Sequence, residues 1–243
     1  MEDARINDRL SRITTMWTLL EQAHGGEADA AAAARQEIMK RYGGAAYRYL
    51  LAMLRDPAAA DDLAQEFALA LVRGELRSAS PERGRFRDYV KTVLFHLLSK
   101  FRKRQAKNPD SLAPEVVAQV AEPAADVDAA FDEAWREELL ARTWAALAVQ
   151  QPTYYAVLRF RADHPKMASH DMARPLTSQL GKPMTPDGVR QTLRRARELF
   201  TELLVDEVGH SLREPTLEKL EEELLGLNLL VYCRPALERR GGK

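Results

Sequence analysis

The sequence predicts an all-α protein made of two small helical bundles joined by an acidic linker, with a C-terminal helical extension. Three observations lead there. Apolar residues recur at three- and four-residue spacing through most of the chain. Nowhere does period-two alternation persist with β-branched residues, so no strand is expected. A stretch rich in Pro, Ala and acid then interrupts the helical pattern, with Pro109, Pro114 and Pro123 and too few large apolar side chains to order itself. The expected organisation is an N-terminal helical segment over 1–35, a first bundle over 36–107, a linker over 108–129, a second bundle over 130–209 and an extension over 210–243.

Within the first bundle, Ile38, Tyr42, Ala45, Tyr49 and Met53 form one apolar stripe. Leu63, Phe67, Ala70 and Leu71 form a second, after Asp56-Pro57, which places proline in a first helical turn. Phe86, Val90, Val93, Leu97 and Phe101 form a third, and three such helices can bury their stripes against one another. The pattern resumes with Phe131, Trp135, Leu139, Leu140 and Trp144, then Tyr154, Tyr155, Val157 and Leu158, all assigned to the second bundle. Pro215-Thr216 starts a short amphipathic helix through Leu217, Leu220 and Leu224 that Gly226 should end.

Composition narrows the function. Of 243 residues, 46% are hydrophobic and 30% charged, as in soluble globular proteins, and no apolar run approaches the roughly 20 residues a membrane span needs. Glu2, Asp3, Arg5, Asp8 and Arg9 crowd the N-terminus where a secretion signal would be apolar, so a cytoplasmic location is expected. Cys233 is the sole cysteine, which leaves no disulfide framework and no thiolate metal site. His24, His96, His164, His170 and His210 show no metal-ligand spacing, and there is neither a Gly-rich phosphate loop nor a nucleophile with a nearby base. No metal, no cofactor, no catalytic residue and no enzymatic activity are expected.

The net charge is zero, but as a sum of opposed blocks. Nine Lys and Arg fall between Arg83 and Lys107 against Asp88 alone, and nine acids fall between Asp110 and Glu138 against Arg136 alone. A second basic block runs from Lys182 to Arg197. There, Leu180-Gly181 closes one helix and Gly181-Lys182-Pro183 turns the chain. Thr185 is suited to cap the next helix, Pro186 to open it, and Asp187 to complement its positive end. Val189, Leu193, Ala196, Phe200 and Leu203 make its buried seam, leaving Arg190, Gln191, Arg194 and Arg197 off the seam. That is a helix-turn-helix whose second helix can enter a major groove, where an ordinary solvated basic face is the alternative. Pro175 interrupts the first helix of the pair unless it lies in its opening turn.

In the first basic block, Arg85, Tyr89, Thr92, His96, Lys100 and Lys103 recur on one helical face. Cations interleaved with aromatics suit a single-stranded or melted nucleic acid, since cations hold the backbone and rings stack on bases. Asp61-Asp-Leu-Ala-Gln-Glu-Phe67, followed by Ser80-Pro-Glu-Arg-Gly-Arg-Phe-Arg-Asp-Tyr89 and a basic helix end, closely resembles region 2 of the extracytoplasmic-function sigma factors of bacterial RNA polymerase. The helix-turn-helix resembles their region 4 in position and in its Val-Arg-x-x-Leu-x-Arg-Ala-Arg spacing. Thr15-Met-Trp17 and the tail Leu229-Leu-Val-Tyr-Cys-Arg-Pro-Ala-Leu-Glu-Arg239 are similar to a subgroup found in planctomycete-like bacteria.

What the resemblance implies is a factor that brings core RNA polymerase to promoters. Asp61, Asp62, Gln65, Glu66 and Leu69 would meet the clamp of the largest polymerase subunit, with the flap as a second contact. The loop from Gly74 to Arg85 would hold a flipped base of the downstream promoter element. Arg83, Arg85, Arg87, Tyr89, Lys91, His96, Lys100 and Lys103 would grip the melting strand. Thr185, Arg190, Gln191, Arg194, Arg195 and Arg197 would engage the upstream element. Ala68, His96 and Lys100 depart from the residues usual in the family and leave base preference open. The family also implies a regulator, either an anti-sigma protein or, for such subgroups, a serine/threonine kinase. Phosphorylation of Ser78 or Ser80 would set a charge that repels DNA in the base-capturing loop. The competing classes are a stand-alone helix-turn-helix regulator of duplex DNA and a helical adaptor. The acidic Asp61 to Glu66 patch separates them, because a repressor has no use for a polymerase-docking helix.

Overall fold

A computed structural model describes residues 16–25, 27–73, 85–107, 124–212 and 214–241. The described residues contain ten helices and no strand: α1 (Met16–Gly25), α2 (Ala28–Leu54), α3 (Pro57–Arg73), α4 (Phe86–Lys107), α5 (Ala124–Gln150), α6 (Pro152–Asp163), α7 (Ser169–Leu180), α8 (Pro186–Gly209), α9 (Leu217–Gly226) and α10 (Leu230–Gly241). The described residues divide into two compact units, one comprising those from Met16 to Glu138 with Gly209–Pro215, the other Leu139–Val208 with those from Thr216. The segment expected to capture a base, with Arg83, Ser78 and Ser80, and most of the expected acidic linker lie outside the described residues.

The first unit is organised around α2. Its stripe Ile38, Tyr42, Ala45, Tyr49 is buried, and α3 adds Leu63 and Phe67. Helix α3 starts as its sequence suggests, with Asp56 Oδ1 accepting from the N–H groups of Ala58 and Ala59 at 2.9 and 3.3 Å ahead of Pro57. In α4 the buried set is Phe86, Val90, Leu94 and Leu98, one position on from the expected Val93 and Leu97, which are half-buried. The seam drifts because the helix is covered from a second side: the start of α5 packs there.

That placement corrects the expected division. Phe131 and Trp135, assigned to the second bundle, are core residues of the first unit. The Tyr42 ring stacks on Trp135 with centroids 4.5 Å apart and leans on Phe86 at 5.1 Å, while Tyr49 meets the edge of Phe131 at 5.4 Å. Burial of Tyr49 pushes its phenol up to about 12, so it stays neutral in this core. Arg48 pairs with Glu138 and lies 3.6 Å from Glu137. Gly44 permits the approach of Glu138, since a Cβ there would sit 2.5 Å from the carboxylate. Helix α5 begins at Ala124, straight after Pro123, so the six residues 124–129 expected in the linker are helical. Alanine-rich sequence after a proline is a favourable helix start.

The second unit takes the rest of α5. Its core joins Leu147, Val157, Leu158, Met172, Leu176, Val189, Leu193 and Ala196, with Trp144 and Phe200 packed at the edge. Pro175 is accommodated inside α7 at its seventh residue without ending the helix. Helix α9 runs from a Thr216 cap, whose hydroxyl accepts from the Lys219 N–H at 3.3 Å, to Gly226 as expected. It forms a hairpin with α10 that buries Leu220, Leu224, Leu227, Leu230, Cys233 and Leu237. Arg240 fastens the hairpin to α8, donating to the Glu202 carbonyl at 2.9 Å and to Asp206 at 2.8 Å.

Candidate nucleic-acid interface

Three surfaces carry the residues singled out from the sequence, two in the first unit and one in the second. On α4, the face opposite Phe86, Val90, Leu94 and Leu98 presents exposed Thr92, His96, Lys100 and Lys103, with Arg85 and Tyr89 half-buried at its start. Burial raises the Tyr89 phenol well above its ordinary value, so the ring offers a neutral hydroxyl and an aromatic face.

Two predicted members of this site are elsewhere. Arg87 is 5% exposed and pairs with Asp132 of α5, and Lys91 pairs with Asp128 at 3.0 Å. Both lie on the flank of α4 turned to the acidic start of α5. A count of cations along the chain cannot separate these flanks, because the partners that neutralise one of them lie some forty residues on. The structure also adds residues that sequence reasoning missed. A shallow hollow of about 320 Å³ is lined, among the described residues, by His96, Ser99, Lys100, Lys103 and Arg104. Phe95 stands 48% exposed beside it, its ring edge-on to His96 at 6.1 Å. An aromatic off the apolar seam of a basic helix was the available signal.

Helix α3 turns Asp61, Asp62, Gln65 and Leu69 outward, with Leu69 48% exposed and Leu63 and Phe67 buried beneath. The fifth residue of the expected patch, Glu66, is half-buried and holds Arg104 of α4 at 2.8 Å. A mixed acidic and apolar surface of this kind suits a protein partner.

In the second unit, α7 ends at Gly181, whose φ of +64° lies in the left-handed region that glycine adopts without strain. The turn to α8 is fixed by Thr177, whose hydroxyl accepts from the Met184 N–H at 2.9 Å. Thr185 caps α8, accepting from the Gly188 N–H at 3.0 Å, which makes it a structural residue of the turn as well as a predicted DNA contact. Val189, Leu193 and Ala196 are buried and Phe200 and Leu203 half-buried. Arg190, Gln191, Arg194, Arg195 and Arg197 are all exposed. Arg190 pairs with Asp187, and Arg194 lies 3.5 Å from Glu198, so the two predicted base readers are steered along the helix surface by neighbouring carboxylates.

Among the described residues no group of His, Cys, Asp and Glu is arranged to hold a metal ion, and no helix is long and apolar enough to cross a membrane. Residues 38–108 match the family model Sigma-70 region 2. Those residues cover most of α2, all of α3 and α4, and the residues between them. The matched segment, under a third of the chain, is similar to region 2 of the sigma factors, proteins of transcription initiation. No significant match is found among curated proteins or solved structures.

Proposed function

We propose that this chain is a bacterial sigma factor of the extracytoplasmic-function type, acting in the cytoplasm. In this reading the outward face of α3 docks on the clamp of the largest polymerase subunit and the second unit reaches the flap. Helix α8 reads the upstream promoter element through Arg190, Gln191, Arg194 and Arg195. The α4 face, with Arg85, Tyr89, His96, Lys100 and Lys103, holds the melted downstream strand. An anti-sigma protein or a serine/threonine kinase regulates it, with the α9–α10 hairpin as the added segment of the subgroup.

One conjunction carries the reading. The region matching Sigma-70 region 2 is followed in the same chain by a capped, arginine-rich helix set behind a glycine turn. A stand-alone repressor would account for the second feature and not for the first. Reconstitution with core polymerase and a library of promoter fragments tests it. Transcripts from a defined subset of fragments, absent with core enzyme alone, are expected. Binding to duplex DNA without core binding and without transcripts would instead favour the stand-alone regulator.

A further inference from the structure

The α9–α10 hairpin lies outside the segment matched by the family model and carries an exposed patch that the polymerase and DNA roles leave unused. Three large apolar side chains stand out around its turn, Leu225 at 62%, Val231 at 81% and Tyr232 at 69% exposure. The hairpin core does not need them, because Leu220, Leu224, Leu227, Leu230 and Cys233 are buried beneath. A Cβ on Gly241 would sit 3.1 Å from Leu217 Cδ1, so the end of α10 lies against the start of α9 and the turn is at the far end. That turn is tightly closed. Asn228 is left-handed at φ +56°, its N–H donates to the Leu225 carbonyl at 3.0 Å, and the Leu229 N–H donates to the Leu224 carbonyl at 2.8 Å. Pro235 lies inside α10 four residues after Val231 and has no N–H, so the Val231 carbonyl lacks its regular helical donor. A backbone acceptor thus lies beside the exposed Val231 side chain. Single exposed apolar residues are ordinary on a protein surface, but three within eight positions on a closed turn form a patch.

Charge selects the occupant. Arg239 and Arg240 turn to α8, where they meet Glu202 and Asp206 at 3.3 and 2.8 Å. The exposed charges left on α9 and α10 are Glu218, Glu221, Glu222 and Glu238 against Lys219 and Arg234, an acidic excess of two. Glu218, Glu221 and Leu225 fall at i, i+3 and i+7, so one exposed face of α9 leads from acid to the apolar tip. A second copy of the hairpin would bring like charges together, and a nucleic acid or an anionic lipid surface would be repelled in the same way. A cationic segment with its own apolar stripe gains on both counts. We propose that the tip of the α9–α10 hairpin is a docking site for a protein partner that binds through a basic amphipathic helix. The partner's apolar stripe covers Leu225, Val231 and Tyr232, and its Lys or Arg side chains meet Glu218 and Glu221. The inference stands apart from the roles assigned to α3, α4 and α8.

Fluorescence anisotropy on the full chain tests this with a labelled synthetic peptide, an amphipathic helix with a leucine stripe flanked by lysines. The same peptide with glutamates in place of the lysines is the control. Binding of the lysine peptide, weakened by salt, and none of the glutamate peptide are expected. Val231→Ser with Tyr232→Ser should weaken the lysine peptide at least about tenfold, since two anchoring side chains are lost. Glu218→Gln with Glu221→Gln should weaken it about two- to fivefold and flatten its salt dependence. All four positions are exposed, so thermal unfolding should not change. Asp61→Asn with Asp62→Asn on α3 should leave peptide affinity unaltered. No binding of the lysine peptide, equal binding of both peptides, or an affinity unmoved by the Val231 and Tyr232 changes would overturn the proposal. So would loss of binding in the α3 variant alone, since the peptide would then sit on α3. Wild-type dimers in sedimentation equilibrium that dissociate when Val231 and Tyr232 are changed would give the tip to a second copy instead. Co-sedimentation with phosphatidylcholine–phosphatidylglycerol vesicles that depends on the same two residues would give it to a membrane.

Discussion

Charged side chains of the same kind divide into opposite roles in this chain, and their surroundings decide which. Arg190 and Arg194 are exposed on α8, each beside a carboxylate that positions it and gives way to a stronger partner at little cost. Replacing either with alanine is expected to cost roughly 1–3 kcal/mol against the preferred upstream sequence if it makes a bidentate base contact, measured by competition between matched and scrambled duplexes. An equal loss on both duplexes would mark a phosphate contact instead. Arg87 is the contrast. Buried against Asp132, it belongs to the core, and Asp132→Asn should lower the free energy of unfolding by about 1–3 kcal/mol while leaving DNA affinity unchanged. Denaturant titration beside anisotropy separates the two effects, and a loss of affinity without loss of stability would return Arg87 to the interface.

At the scale of elements, what could be read from the sequence is what local chemistry determines. Asp56-Pro57, Thr185-Pro186 and Thr216 each start a helix within their own few residues, and the left-handed Gly181 ends one. Those boundaries were therefore legible. The partner of a stripe is not local. Phe131 and Trp135 show a helical face, but nothing within α5 says that Tyr42 and Tyr49, some ninety residues earlier, cover it. The flank of α4 that faces Asp128 and Asp132 was hidden for the same reason, and so was the hollow around Arg104. Trp135→Ala tests the corrected packing. It should cost about 3–5 kcal/mol, with loss of hydrogen-exchange protection in α2 and α4. Loss confined to α6–α8 would restore Trp135 to the second unit.

The hairpin of α9 and α10 supplies a reporter of its own docking. Burial pushes the Cys233 thiol from an ordinary 9.0 up to about 11, opposed by the nearby Arg240 charge. A folded value above the unfolded one means that the thiol contributes stability below pH 9, which is lost as pH rises towards 11. Alkaline denaturation should therefore steepen in that window, and Cys233→Ala should flatten it. At pH 8 a thiol reagent should label the native chain far more slowly than the unfolded one, at the rate the hairpin opens. Equal rates would mean that the hairpin is not packed as described.

For the whole molecule, zero net charge conceals a division of labour. The acidic start of α5 neutralises one flank of α4 and leaves the other basic, and Asp61 and Asp62 of α3 are exposed. Cations facing DNA would serve any regulator, so in the proposed reading the α3 surface is what would make this chain a polymerase partner. Its affinity for core RNA polymerase is the measurement to make, for the wild type and for a variant carrying Asp61→Asn, Asp62→Asn and Leu69→Ser. These positions are exposed, so circular dichroism and thermal unfolding should be unchanged. Tight binding by the wild type and its loss in the folded variant are expected. Undiminished binding by that variant, or no binding by the wild type, would contradict the assignment.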